Sequence, residues 1–349
     1  MERNIAFELG RICERAALAV APFVGRGDRH AADNAATQAM RQGFEDLKIR
    51  GTIVIGEGER DKAPMLYIGE EVGLSAERFY PEIIDEINPI YADFFEESKL
   101  KIAVDPLEGT NLVANGWPGA ITVIAGVVEG EGDLLHAPDI YMEKIAVGEE
   151  ARECIKLGRS VEETLKLVEE NLNNIACALK KHVKELTVMV LERPRHNDLV
   201  ARIREVGARI RFITDGDVAG ALATAKPNSG IDCLMGIGAA PEGVLASAAM
   251  RALRGQILGR LVCIKDEDRE RAKIMGVEDF DHIYTSEEMA QGDVMFAATG
   301  VTGGDFLKGV VYVPGGALTN TVLMRSKSNT IRWQEVWHRF DDPEKVYNE

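Results

Sequence analysis

The feature that most constrains the fold is the regular alternation of short apolar runs and helical stretches from Glu185 onward. A strand that is followed by a helix and then by another strand typically forms a parallel pair with that second strand. The apolar runs are "LTVMVLE", "RIRFITD", "IDCLMGIG" and "QILGRLVCI", and the helices predicted between them cover about 197–206, 218–224 and 241–253. This pattern predicts a largely parallel sheet that is covered by helices.

The chain before Glu185 has a different pattern of apolar residues. Apolar residues at helical spacing predict helices over about 4–24 and 30–47, and a short buried strand follows at 53–55. The stretch "PMLYIGEEVG" also has a helix-like pattern, and a long charged helical region covers about 149–184. The strands between these regions have hairpin-like spacing, and they are "KIAVD", "AITVIAGVVEG" and "DLLHAPDIYMEKIAVG".

These two sequence patterns predict an α/β protein with two domains. A chain of 349 residues is long enough for two cores, because single cores stop growing near about 250–300 residues. We predict an α+β domain over 1–184 and an α/β domain over 185–349.

Composition excludes several classes of protein. The formal net charge is −16, with 57 acids against 41 bases, which is unfavourable for non-specific nucleic-acid binding. No apolar run approaches the length of about 20 residues that spans a bilayer, and the N-terminal residues lack a signal-peptide core. Five widely spaced cysteines without a CxxC pair argue against a disulfide framework and a thiolate metal site. We therefore expect a cytoplasmic protein with no membrane and no nucleic-acid partner.

The stretch "KIAVDPLEGTNL" places two acids at the end of an apolar strand. Asp105 ends the run, and the ring of Pro106 fixes its own φ directly after it. Glu108 and Thr110 follow within the same turn. Burying carboxylates without a counter-charge is unfavourable. A simple turn explains the proline and the glycine but does not explain the additional acid and hydroxyl.

Two more acids are candidates, each with a structural alternative. The apolar stripe of the second helix, Ala36, Met40 and Phe44, extends back by one turn to Asp33. That residue is also placed to complement the helix dipole. Glu57 follows a strand and lies between two glycines, which is also consistent with a solvated turn.

The strands of the second half end in further polar residues. Ligands of open parallel sheets bind at the carboxyl ends of strands, and three successive strands here are followed by "RPRHND", "DGDV" and "GAAPEGV". Arg193, Arg195 and His196 would bring positive charge and donors, and Glu242 begins a helix.

The acids together predict a metal site. Oxygen ligands without a His or Cys motif favour hard cations, Mg²⁺ or Mn²⁺, over Zn²⁺. Several converging carboxylates would hold two or more ions, an arrangement used in phosphoryl transfer. The candidates are Asp33, Glu57, Asp105, Glu108 and Glu242.

Seven motifs resemble those of class II fructose-1,6-bisphosphatases in order and spacing, from the first helix to about residue 325. They are "GRGDRHAAD", "TIVIGEGERDKAPMLYIGEEVG", "DPLEGTNLVANG", "APDIYMEK", "RPRH", "DGDV" and "GIGAAPEGV". The version with two alanines before Pro241 most resembles the cyanobacterial type, which also takes sedoheptulose-1,7-bisphosphate. "DPLEGT" alone marks the wider lithium-sensitive sugar and inositol phosphatase superfamily.

The resemblance implies a layered αβαβα sandwich, a homotetramer, and hydrolysis of the 1-phosphate of fructose-1,6-bisphosphate. It implies the five metal ligands above, Thr110 as the hydroxyl that orients the attacking water, and Asp61 as its acidic partner. Residues that match substrate contacts are Glu108, Gly109, Thr110, Tyr141, Arg193, Pro194, Arg195, Asp215, Gly216, Asp217 and Ala239.

This sequence departs from the family pattern at three places. Arg29 stands where a lysine is common, Ala239 stands where glycine is frequent, and the acidic segment 75–99 differs. Two other functions are weighed against the phosphatase. One is an inositol-phosphate or nucleotide 3′-phosphatase of the same superfamily. The other is a non-catalytic acidic protein that binds Ca²⁺, which would leave Thr110 and the basic "RPRH" loop unexplained.

Overall fold

The computed structural model describes residues 2–47, 49–56, 66–73, 99–263 and 265–340. Glu57, Asp61 and the segment 75–98 lie outside the described residues. The described helices are α1 Glu2–Val20, α2 Arg29–Glu45, α3 Thr110–Asn115, α4 Val161–Ala178, α5 Asn197–Val206, α6 Asp217–Ala223, α7 Ala240–Leu253, α8 Asp266–Ile274 and α9 Ser286–Met289.

The described strands form two sheets. The strands are β1 Arg50–Ile55, β2 Glu71–Val72, β3 Lys99–Glu108, β4 Ile121–Leu134, β5 Tyr141–Val147, β6 Thr187–Leu191, β7 Arg209–Ile213, β8 Cys233–Ala239, β9 Gln256–Val262, β10 Ala290–Gly300, β11 Val311–Val313, β12 Gly316–Arg325 and β13 Thr330–Arg339. The eight-stranded sheet has the order β11-β12-β10-β4-β3-β1-β2, and β13 lies off this path and also pairs with β12. The five-stranded sheet has the order β7-β6-β8-β5-β9.

Three apolar clusters stack the helices and sheets into five layers. On the outer face of the eight-stranded sheet, Met40 and Phe44 of α2 pack with α1 against Ile102 and other strand residues. Helices α6 and α7 lie between the two sheets, where Val244 and Phe296 belong to one continuous core. Helices α4 and α5 cover the far face of the five-stranded sheet. This αβαβα order confirms the α/β class and the layered sandwich implied by the resemblance.

The helices of the second half begin and end close to the predicted bounds, but the five-stranded sheet is mixed. Strand β6 is parallel to β7 and to β8, whereas β5 is antiparallel to both β8 and β9. The prediction of a largely parallel sheet is therefore wrong at β5. Helix α7 carries the chain from β8 across to β9, and the gap of one strand between them is filled by β5 from the first half of the chain.

Both sheets also include strands from both sides of the predicted domain boundary. Strand β5 and helix α4 precede residue 184 yet belong with the five-stranded sheet, and β10 to β13 follow it yet belong with the eight-stranded sheet. The division at 184/185 stays a prediction, and the sheets do not follow it.

The helix-like reading of "PMLYIGEEVG" is wrong for its described residues, 66–73. This segment makes a turn and then forms β2, which is antiparallel to β1. The backbone N–H of Ile53 donates to the carbonyl of Glu70, and the N–H of Gly69 donates to the carbonyl of Ile53. Pairing with a neighbouring strand thus outweighs the local helical periodicity.

Among the described residues, no helix combines the length and the apolar character needed to cross a membrane.

Candidate active site

The turn after β3 is built around Asp105 and Glu108. Strand β3 pairs with β4 up to Asp105, and the register then shifts before Glu108, so the chain bulges at this point. The Asp105 Oδ1 accepts a hydrogen bond from the N–H of Leu107 at 3.0 Å, which closes the turn. Gly109 has φ of 97°, a left-handed value that glycine adopts without strain, and it starts α3 at Thr110. Thr110 is partly buried.

Three carboxylates converge beside this turn. Asp105, Glu108 and Glu242 each offer one oxygen, and these oxygens all lie within 4.8 Å of one another. Glu242 lies in the first turn of α7 and is distant in sequence from the other two. Its Oε2 is buried and has no hydrogen-bond partner among the described residues. A buried, unpartnered carboxylate oxygen in an all-oxygen donor set fits a hard divalent cation.

Burial and the closeness of like charges raise the pKa values of two acids of the cluster. Burial raises the pKa of Glu108 well above its usual range, and the neighbouring Asp217 and Glu242 carboxylates raise it further. Burial, followed by the charge of Asp217, raises the pKa of Glu242 to about 7. The Glu108 Oε1 accepts one hydrogen bond from the N–H of Val218 at 3.1 Å. Among the described residues, the protein gives these acids little compensating positive charge.

A positive charge that acts on the cluster, that of Lys144, is paired with Asp217. The Nζ of Lys144 lies 2.5 Å from the Asp217 Oδ2 and also donates to the carbonyl of Ala239 at 2.9 Å. Both side chains are buried, with 3% and 8% of their residues' surfaces exposed for Lys144 and Asp217. The sequence reading missed Lys144. The available signal was a lysine inside the apolar strand "YMEKIAV", where a buried charge needs a partner.

The loops that match sugar-phosphate contacts lie at the ends of β5, β6 and β8. The Arg195 guanidinium donates from Nε and Nη2 to the carbonyl of Ile237, at 3.0 and 2.6 Å. It also stacks 4.8 Å from the centre of the Tyr141 ring, and burial lowers the pKa of Arg195. Tyr141 pairs directly with Ala239 across β5 and β8, and both line an open cavity of about 500 Å³.

The remaining predicted contacts lie in two turns. Arg193 is partly buried and donates to the carbonyl of Glu192, and Pro194 begins a short 3-10 turn. Asp215 accepts a hydrogen bond from the Nδ2 of Asn111 at 3.2 Å, which ties the "DGDV" turn to α3. Gly216 lies at the start of α6.

His196 does not carry the positive charge that the sequence suggests. His196 was expected to bring positive charge, but it is 1% exposed and burial lowers its pKa below the usual value. Both ring nitrogens contact backbone groups, so the imidazole is neutral and serves the scaffold.

The five predicted metal ligands are placed as follows. Asp105, Glu108 and Glu242 form the group above. Asp33 is partly buried in α2, one turn from the buried Ala36, and α2 packs against α3. Glu57 lies outside the described residues, as does the proposed catalytic acid Asp61.

Comparison with known proteins decides the family. Residues 3–338 match a family described as bacterial fructose-1,6-bisphosphatase, glpX-encoded. The chain belongs to this family. It is therefore a phosphoric monoester hydrolase, and membership of the fructose-1,6-bisphosphatase family implies dependence on divalent metal.

Curated relatives of similar length support the same family. A protein of Trichodesmium erythraeum is 42% identical over 98% of both chains. A protein of Acaryochloris marina is 43% identical over 99% of this chain and 98% of its own. Both are named D-fructose 1,6-bisphosphatase class 2/sedoheptulose 1,7-bisphosphatase, the second with the suffix 2. A protein of Thermosynechococcus vestitus with this name is 43% identical over 98% of this chain.

The first prediction concerns the buried Lys144–Asp217 pair. A Cβ atom at Gly238 would lie 2.0 Å from the Asp217 Oδ2 and 2.9 Å from the Lys144 Nζ. Gly238→Ala should therefore separate the pair and lower the free energy of unfolding by about 3–5 kcal/mol, the usual cost of breaking a buried pair. Urea denaturation measures this loss.

Gly126→Ala is the matched control. Gly126 is also a buried strand glycine, but a Cβ there would meet its nearest neighbour, Leu9, at an ordinary 3.6 Å. Equal urea midpoints for the two variants would contradict the packing argument at Gly238.

Proposed function

We propose that this protein hydrolyses fructose-1,6-bisphosphate at its 1-phosphate, giving fructose 6-phosphate and inorganic phosphate. The convergence of Asp105, Glu108 and Glu242 carries the proposal, since these acids come from distant parts of the chain and meet beside the Thr110 turn. Holding three carboxylates this close is unfavourable without cations, and the family is one of bisphosphatases.

The ions in this proposal are Mg²⁺ or Mn²⁺, two or more, held by Asp33, Glu57, Asp105, Glu108 and Glu242. Carboxylate oxygens without nitrogen or sulfur donors match the preference of these ions. When bound, the ions supply positive charge that polarises the phosphoryl group and offsets the negative charge of the site. The unpartnered Oε2 of Glu242 supports its assignment as a ligand.

Thr110, with Asp61 as its acidic partner, is proposed to orient the water that attacks phosphorus. Thr110 is the first residue of α3, and Gly109 before it has the backbone conformation that turns the chain out of β3. The turn is held at one end by the Asp105 hydrogen bond to Leu107. A fixed hydroxyl contributes to catalysis by holding the nucleophile in the geometry of attack.

Tyr141, the 193–195 loop, the 215–217 turn and Ala239 are proposed to hold the sugar and its distal phosphate. Arg195 is already ordered by the carbonyl of Ile237 and the Tyr141 ring, so little side-chain entropy would be lost on binding. Arg193 is partly buried and would bring a second positive charge to an otherwise acidic protein.

Sedoheptulose-1,7-bisphosphate is proposed as a second substrate. The relatives at 42–43% identity carry both activities in their names, and the open cavity beside Tyr141 and Ala239 leaves room for a longer sugar. Phosphate release from a panel that includes both bisphosphates, inositol phosphate and a nucleotide 3′-phosphate separates this assignment from other phosphatases of the superfamily.

We further propose a cytoplasmic homotetramer that binds neither membrane nor nucleic acid. The net charge of −16 disfavours nucleic acid. Among the described strands, β13 pairs only with β12, and Trp333, Trp337 and nearby Val311 are 44%, 55% and 52% exposed. A long edge strand with exposed aromatic residues is suited to contact another subunit.

The second prediction concerns metal. Because the proposed ligands are all carboxylates, EDTA should abolish release of phosphate from fructose-1,6-bisphosphate, and excess Mg²⁺ or Mn²⁺ should restore it. Full activity after dialysis against chelator would show that the acids do not act through a cation.

The third prediction concerns Glu242. Glu242→Gln keeps the shape of the side chain but removes its charge, so the metal concentration for half-maximal activity should rise by about tenfold or more. The metal-free variant should be at least as stable as the parent, because repulsion from Glu108 and Asp217 is reduced. Activity titrated with Mn²⁺ and urea denaturation in chelator measure the two effects.

Glu267→Gln is the control for this test, because Glu267 also lies in the first turn of a helix but is exposed. If both variants require the same metal concentration as the parent, Glu242 is not a ligand.

The fourth prediction concerns Thr110. Thr110→Ala should bind fructose-1,6-bisphosphate but lose about two orders of magnitude in kcat, since positioned groups of this kind contribute about 10²–10⁴-fold. Thr110→Ser, which keeps the hydroxyl, should retain much more. Steady-state kinetics at saturating metal check this. Equal turnover of the two variants, or loss of binding instead of rate in the alanine variant, would assign Thr110 to another role.

A further inference from the structure

The imidazole of His196 joins two strands where their backbone pairing stops. The register of the parallel strands β6 and β8 covers only Val188 with Cys233 and Met189 with Leu234. Nearer the site, the His196 Nδ1 lies 2.7 Å from the carbonyl oxygen of Leu191, the last residue of β6. The His196 Nε2 accepts a hydrogen bond from the N–H of Ile237 in β8 at 2.8 Å. The ring thus replaces a direct link between the strand ends.

The bridge fixes both the tautomer and the surroundings of the ring. A carbonyl only accepts and an N–H only donates, so Nδ1 carries the proton and Nε2 is unprotonated. His196 is 1% exposed, and a Cβ atom at Gly236 would lie 3.0 Å from its Nε2. The ring therefore fills a space that a larger residue at 236 would restrict. With both nitrogens engaged, it has no free lone pair for acid–base chemistry.

Ile237 links this bridge to the proposed substrate loop. Its N–H is held by His196, and its carbonyl accepts both hydrogen bonds of Arg195. The same Arg195 guanidinium stacks on Tyr141. Displacement of the Ile237 backbone would move the acceptor of Arg195 and so change the position of the guanidinium.

We propose that His196 is a positioning residue for sugar-phosphate binding, which fixes the backbone of Ile237 so that Arg195 and Tyr141 are held ready for the distal end of the substrate. The inference rests on the proposed function in one respect, that Arg195 contacts the bisphosphate. It adds a residue that touches neither substrate nor metal and acts through the backbone of β8.

The test compares two substrates of the intact protein at saturating Mn²⁺. His196→Phe keeps a ring but loses both hydrogen bonds, and we expect KM for fructose-1,6-bisphosphate to rise roughly tenfold or more, as small misplacements of binding groups do. The kcat should change little. Hydrolysis of p-nitrophenyl phosphate, which has no distal phosphate, should fall by much less than the tenfold effect on the bisphosphate.

Conservative variants make the result specific. The amide of His196→Gln has a donor and an acceptor and should recover most of the KM. His196→Asn is shorter and should make only one of the two bonds, so it should resemble the phenylalanine variant and takes its place if circular dichroism shows that His196→Phe is not folded. An unchanged KM in a folded Phe or Asn variant overturns the proposal, as does an equal loss on both substrates.

A double-mutant comparison separates this inference from the function on which it rests. In an Arg195→Ala background, His196→Phe should add little further increase in KM, because the positioned group is already gone. Additive effects would show that His196 acts independently of Arg195 and would overturn the inference. If Arg195→Ala alone leaves KM unchanged, the assumed contact of Arg195 with the bisphosphate is wrong, and the inference that His196 acts through Arg195 is overturned with it.

Discussion

Mutual repulsion among buried carboxylates is the constraint on which the site depends. Asp105, Glu108 and Glu242 lie within reach of one another, and Asp217 raises the pKa of two of them. Flexible side chains on loops would move apart. Here Asp105 and Glu108 lie at the end of a central strand, and Glu242 lies in the first turn of the helix between the sheets. The stability of the layered core therefore holds the acids together.

The charge of the site also depends on Asp217, which lies beside the three acids and is neutralised by Lys144. Lys144 pairs with Asp217 inside the protein, which neutralises one negative charge and leaves the other three acids for the proposed cations. The pairing also joins β5 to the start of α6. The N–H of Val218 in the same helix donates to Glu108, so one short helix connects the carboxylate cluster to the proposed sugar-binding turn.

Features that depend on local sequence could be predicted, and those that depend on distant partners could not. Helix α5 lies where its periodicity placed it, at Asn197–Val206, and the acids at the end of β3 were identified from one turn. The place of β5 was missed because its partners, β8 and β9, come much later in the chain. The neutral state of His196 was missed for a similar reason, since it depends on backbone groups of two strands. Lys144 was missed because its partner, Asp217, lies 73 residues away in the chain.

The position of β5 has a consequence for how the chain acquires its structure during synthesis. Strand β5 leaves the ribosome early, but its neighbours β8 and β9 are complete only when residues through Ala239 and Val262, respectively, have been made. Strand β4 likewise waits for β10 on one side. A nascent chain that ends near residue 184 therefore has apolar strand edges with no partner, which favours association with other chains. Such long-range pairing slows folding. Both sheets therefore complete their folding only after the late strands have been translated. Early release from the ribosome would yield an aggregation-prone fragment.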